Sequence, residues 1–217
     1  MGAGADPSYV DSFKEYNDAA IVVFSRPGAE GSDYYPGEMG IDTAKYEANS
    51  ALGLVKHERE VLELAKANFD TVIVMINSGS AMEIEELKQD EQVDALMYIG
   101  FPGAYGFYGV ADVLVGNESP SGRLVDTYAY DVSSAPASEN FGDYKYDNMN
   151  GMAFINYEEG IYVGYRYYET RYYDAVAGVH NATSTKGAYG SQGEWSYADE
   201  VTYGFGYGLS YTTFDFD

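Results

Sequence analysis

Three short apolar runs decide most of what this chain can fold into: residues 21–24 (IVVF), 71–76 (TVIVMI) and 93–99 (VDALMYI). The first two are continuous and rich in β-branched side chains, without the alternation of a half-exposed strand. That pattern suits strands buried on both faces, as in a parallel sheet. The stretches between them read as helices. Within residues 44–68, Leu54, Val61, Leu62 and Ala65 share a face, while Lys56, Glu58, Arg59, Glu63 and Lys66 point away. Ser80-Ala-Met-Glu83 has the form of a capping box and predicts a helix running to Lys88. Residues 104–115 predict another, with Val110, Val113 and Leu114 apolar and Gly116 at the C-terminal cap.

Strands alternating with helices imply parallel strands joined by right-handed crossovers. The expected fold class is α/β: a three-layer α/β/α sandwich with a mostly parallel sheet, plus a Tyr/Gly-rich tail with an added strand. Three strands are few for such a domain. The tail completes the sheet, or the first half of the domain lies outside this chain, or both.

Residues 1–18 read as a lead-in segment, with 11–16 the end of a helix, and 19–116 as the βαβαβα core. Residues 117–217 form the tail, and sixteen of the 24 tyrosines lie there. In the tail, 131–152 is polar and irregular, a long connection of the kind that often carries function. Residues 179–200 read as a mobile polar loop, and 205–214 (FGYGLSYTTF) as a closing strand with aromatic alternation.

The first strand runs into Arg26-Pro27-Gly28 and then Ala29-Glu30-Gly31-Ser32-Asp33-Tyr34. Open α/β sheets keep their chemistry just beyond the carboxyl ends of strands, so Glu30 stands where a working group is expected. By itself a glutamate among small residues is ordinarily just solvated.

Charge narrows the partners. With 35 acidic and 12 basic side chains the net charge is −23, which argues against nucleic acid and anionic membranes. A neutral ligand such as a sugar is compatible with it. No cysteine is present, which excludes disulfides and thiolate metal sites, and His57 and His180 lack ligand spacing. His57 reads as a surface residue of its helix. No apolar stretch reaches the ~18 residues that span a bilayer. The first residues lack the regions of a signal peptide, so the expected location is cytoplasmic.

Competing motifs fail on spacing. Gly28 and Gly31 fit neither a dinucleotide fingerprint nor a phosphate loop. Ser78-Gly-Ser80 lacks the nucleophile-elbow pattern and a histidine to serve it. Asn117-Glu-Ser119 and Asn181-Ala-Thr183 match the glycosylation pattern, but such matches arise often by chance.

Four segments, in order, are more specific: 72–83 (VIVMINSGSAME), 111–124 (ADVLVGNESPSGRL), 159–168 (EGIYVGYRYY) and 205–214. Together they resemble the second, α/β-sandwich domain of family 3 glycoside hydrolases, the β-glucosidase family, in incomplete form. In that family the active site lies between the sandwich and a TIM-type barrel, which supplies an aspartate nucleophile. The sandwich often supplies a glutamate acid/base in a context like Ser-Gly-Glu-Gly-Tyr. Gly28-Ala-Glu-Gly-Ser32 resembles that context, with Ala29 and Ser32 as departures. The resemblance makes Glu30 the acid/base candidate.

A retaining glycosidase sets two carboxyls about 5–5.5 Å apart across the bond it cleaves. One attacks carbon, and the other protonates the leaving oxygen and then acts as base toward water. The nearby negative nucleophile would raise the acid's pKa. Arg26, Asp33 and Tyr34 are the substrate-binding candidates; for Arg26 and Asp33, anchoring of the loop outweighs sugar contact. Arg123, Arg166, Tyr207 and Tyr211 read as scaffold. Trp195, the only tryptophan, suits either a sugar face or packing.

No barrel pattern is found in the sequence, and the family's barrel signatures are missing. The resemblance therefore implies a sandwich-domain portion of a β-glucosidase-like hydrolase acting on terminal β-linked sugars. The partner barrel belongs to the same enzyme, no cofactor or metal is needed, and the isolated chain is inactive. The rival expectation is a non-catalytic carbohydrate-binding or assembly module of the same fold.

Overall fold

A computed structural model describes residues 7–28, 50–139, 144–155, 157, 159–179 and 196–213. A short helix, α1 (Pro7–Asp11), and a 3-10 turn (Ser12–Lys14) lead into β1 (Ala20–Arg26). Then come α2 (Lys56–Lys66), β2 (Val72–Ser78), α3 (Glu85–Gln89), β3 (Ala95–Tyr98) and α4 (Gly103–Leu114). The three strands form one parallel sheet in the order β1-β2-β3. Ala20 pairs with Val72 through to Arg26 with Ser78, and Ile73 with Ala95 through to Ile76 with Tyr98. The α/β class and the parallel sheet expected from the three runs are present.

One face of this sheet carries the core. Val22, Phe24, Val72, Val74 and Ile76 pack with Leu54, Leu62, Ala65, Met82, Ile84, Leu87 and Tyr128. Helix α2 forms because its sequence is made of strong helix formers with one apolar stripe, and it buries Leu62 and Ala65. Val61, read from sequence as part of that stripe, is instead exposed.

The other face departs from expectation. Ile21 and Val23 are 51% and 50% exposed, so β1 is buried on one face rather than two. Its run of apolar residues carries the pattern of a strand covered on both sides, yet among the described residues that second cover is incomplete. Helix α4 buries little: Val110, Val113 and Leu114 are half-buried, and none of its residues is fully buried.

Two other expectations move. The helix expected from Ser80 begins only at Glu85, because Glu83 turns inward and accepts from the Val132 N–H instead of capping. The closing strand expected at 205–214 does not form in 205–213, the described part of that stretch. The last strand among the described residues is β7 (Val201–Tyr203), antiparallel to β4 (Tyr128–Ala129). Gly206, with φ +81°, breaks the extended backbone just beyond. Residues 205–213 then run as a loop tied to the core's flank. Leu124 and Gly206 donate to Tyr207 and Leu124 carbonyls, and Tyr211 Oη donates to the Val113 carbonyl at 2.9 Å.

Between β4 and β7 lie a 3-10 turn (Val132–Ser134), α5 (Pro136–Glu139), the hairpin β5 (Tyr144–Lys145) and β6 (Ala153–Phe154), α6 (Tyr165–Ala177) and α7 (Tyr197–Glu200). The buried arginine of α6 is Arg171, whose guanidinium donates to Tyr167 Oη; Arg166 faces solvent. Of the loop expected at 179–200, residues 180–195, with His180 and Trp195, lie outside the described residues, while 197–200 are not loop but the helix α7.

Candidate functional site

The candidate site is built on the carboxyl end of β1. Its last residue, Arg26, is buried although charged, with 8% of its side chain exposed. Strand alternation turns it to the core face, the side of Val22 and Phe24. There it meets the segment that returns toward α2. Arg26 Nε donates to the Ala51 carbonyl at 2.9 Å, and Nη2 to the Gly53 carbonyl at 2.5 Å. Nη1 donates to its neighbour's carbonyl, Ser25, at 2.8 Å. The two Nη atoms also reach Glu58 Oε1 and Oε2 at 2.6 and 2.8 Å, a two-pronged pair. A guanidinium has five N–H donors, and all five are engaged within the protein. Sugar contact by Arg26 would require giving up one of these bonds.

Glu58 is held in turn. It sits in the first turn of α2 and accepts from the Val55 N–H at 2.9 Å, which satisfies an end donor of that helix. The returning segment is gripped from other sides too. Leu54 is fully buried in the core, and Glu83 N–H donates to the Leu52 carbonyl at 3.0 Å. Ser50 Oγ accepts from the Gly53 N–H at 3.1 Å. A Cβ at Gly53 would stand 3.0 Å from Glu83 Oε2, so any larger residue would press on that carboxylate.

Glu83 links this base to the tail. Its carboxylate accepts from the Val132 N–H at 3.0 Å and also bonds the Ser50 side chain. Burial pushes its pKa above the ordinary glutamate value, helped by Asp131 and Glu86, while those two hydrogen bonds pull it down.

The neighbouring strand ends complete the rim. Asn77 on β2 donates its side-chain amide to the Gly100 carbonyl beyond β3. The Phe101 ring lies over Gly79, where a Cβ would stand 2.6 Å from it, and the ring is largely exposed.

Of the residues singled out from sequence, Arg26 is thus placed at the root of the glutamate loop. Glu30, Asp33 and Tyr34 lie outside the described residues. His57 is exposed on α2, its Nδ1 3.2 Å from Glu60. Arg123 bonds the Gly122 carbonyl and reaches Ser210 Oγ at 3.4 Å, joining the 119–124 turn to the tail. Glu58 and Glu83 were not singled out as site residues. The first read as an outward helix charge and the second as a cap.

Comparison with known proteins decides what this frame belongs to. Residues 6–165 match the glycosyl hydrolase family 3 C-terminal domain. The chain is a member of that family. It is 32% identical to β-glucosidase A of Butyrivibrio fibrisolvens over 212 residues, 92% of the chain and 22% of that protein. It is 30% identical to a β-glucosidase of Ruminococcus albus over 210 residues, 97% of the chain and 17% of that protein. The chain thus spans about a fifth of the curated relatives it matches. Among solved structures, a β-glucosidase of Paenibacillus barengoltzii superposes with a TM-score of 0.65 at 28% identity, covering 98% of the chain and 18% of that protein. β-Glucosidase 3B of Thermotoga neapolitana, in complex with α-D-glucose, gives 0.64 at 28% identity, covering 97% and 24%. The family 3 domain expected from the four segments is therefore present.

Proposed function

We propose that this family 3 domain works as one wall of the active site of a retaining β-glucosidase-like hydrolase that cleaves terminal β-linked sugars. Glu30 is the general acid/base. A TIM-type barrel of the same enzyme supplies the aspartate nucleophile and closes the sugar pocket from the other side. Glu30 first protonates the departing glycosidic oxygen. It then takes a proton from the water that releases the sugar from the nucleophile. The observation that carries this reading is the match of nearly the whole chain to a small fraction of two β-glucosidases, with Glu30 just past a parallel strand's carboxyl end. That position is where open α/β sheets bind their ligands.

The test uses the intact enzyme. Glu30→Ala should cripple hydrolysis of glucosides with poor leaving groups, by roughly 10²-fold or more, because these need a proton donor. Activated aryl glucosides should lose far less. Equal losses on both would point to structural damage and against the assigned role.

A further inference from the structure

Arg26 spans the two ends of the stretch that carries Glu30. That stretch leaves the sheet at Pro27 and rejoins the described chain at Ser50. Arg26 stands at the departure, and its Nε and Nη2 hold the carbonyls of Ala51 and Gly53 at the return, 25 and 27 residues on. Glu58, the carboxylate that locks this guanidinium, belongs to the first turn of α2. Strand end, returning segment and helix start therefore meet in one buried guanidinium.

We infer that Arg26 is a positioning residue for the acid/base glutamate: it joins both ends of the 27–49 stretch at one root, so that the Glu30 carboxyl is presented from a base of constant geometry. The inference rests on the proposed role of Glu30. Its physical basis is that proton transfer demands placement. A shift of about 1 Å in a reacting group can cost roughly 10²-fold in rate. The guanidinium fork suits the task, since its five donors reach three carbonyls and both oxygens of one carboxylate. A lysine offers three donors and no fork.

The experiment compares Arg26→Lys and Glu58→Gln with wild type in the intact enzyme, on cellobiose and on 2,4-dinitrophenyl β-glucoside. The readout is the ratio of kcat/KM on the two substrates. Partial misfolding lowers both values equally and cancels in the ratio, so poorly folding variants remain informative. A displaced proton donor lowers the ratio, by about tenfold for Arg26→Lys and less for Glu58→Gln. An unchanged ratio in both variants would overturn the inference. Glu30→Gly is measured alongside. If it too leaves the ratio unchanged, the acid/base reading itself falls, and the inference with it. A lowered ratio for Glu30→Gly alone removes only the role of Arg26.

Discussion

Leu54, in the returning segment just before α2, has no exposed surface and packs into the core with the sheet residues. Leu54→Ala is expected to cost about 2–5 kcal/mol, read by denaturant or thermal unfolding of the intact protein. A cost under about 1 kcal/mol would mean that the site collapses freely and that this packing is not central. Glu83 offers a test by pH. Its carboxyl holds a proton more tightly in the fold than in the unfolded chain, because burial disfavours its charge. Its contribution to stability therefore falls as pH rises from the ordinary carboxylate range through the raised value. Glu83→Gln stays neutral and can still accept from Val132. It should flatten this decline in a series of melting temperatures between about pH 4 and pH 8. The same slope in both proteins would contradict the assignment. At this scale the sequence was partly legible. Glu30 stood out only through its position after β1 and the family resemblance. The commitments of Arg26 could not be read, because its acceptors at 51, 53 and 58 are brought to it by the fold.

At the scale of elements, β-branched apolar runs announced β1 and β2, and a mixed apolar run announced β3. Helix α6 gave no such signal. Its run YRYYETRYYDAVA has aromatic residues all round, and only Tyr167, Tyr168 and Arg171 are buried. What marks its end is Gly178, left-handed at φ +68° with its N–H bonded to the Asp174 carbonyl. Gly178→Ala meets open space and is opposed only by backbone strain. It should destabilise the protein by about 1 kcal/mol, read as a small drop in melting temperature and faster hydrogen exchange at the end of α6. No change in exchange there would mean that this cap does not hold the helix. The displaced closing strand has a comparable cause. Glycines at 204, 206 and 208 alternate with aromatics, which imitates a strand in sequence, but the left-handed Gly206 turns the chain away. The tail instead binds by loop contacts, with Ser210 Oγ donating to the Pro120 carbonyl at 2.6 Å and Tyr211 Oη to that of Val113.

At the scale of the whole molecule, the chain is a family 3 domain that matches about a fifth of the β-glucosidases it resembles. With one catalytic carboxylate proposed and the nucleophile assigned to another domain, the chain alone should not turn over an aryl β-glucoside at enzyme-like rates. The net charge of −23 leaves the sugar, itself neutral, as the ligand class that long-range repulsion does not discourage. If this domain delivers the proton donor, azide should rescue Glu30→Gly in the intact enzyme. With 2,4-dinitrophenyl β-glucoside the first step needs no acid, so the glycosyl-enzyme forms and then waits for a base-activated water. Azide needs no base. Azide should therefore accelerate turnover by about tenfold or more, with β-glucosyl azide as the product. A variant that azide does not rescue, or one that still releases only glucose at the wild-type rate, would contradict the proton-donor role.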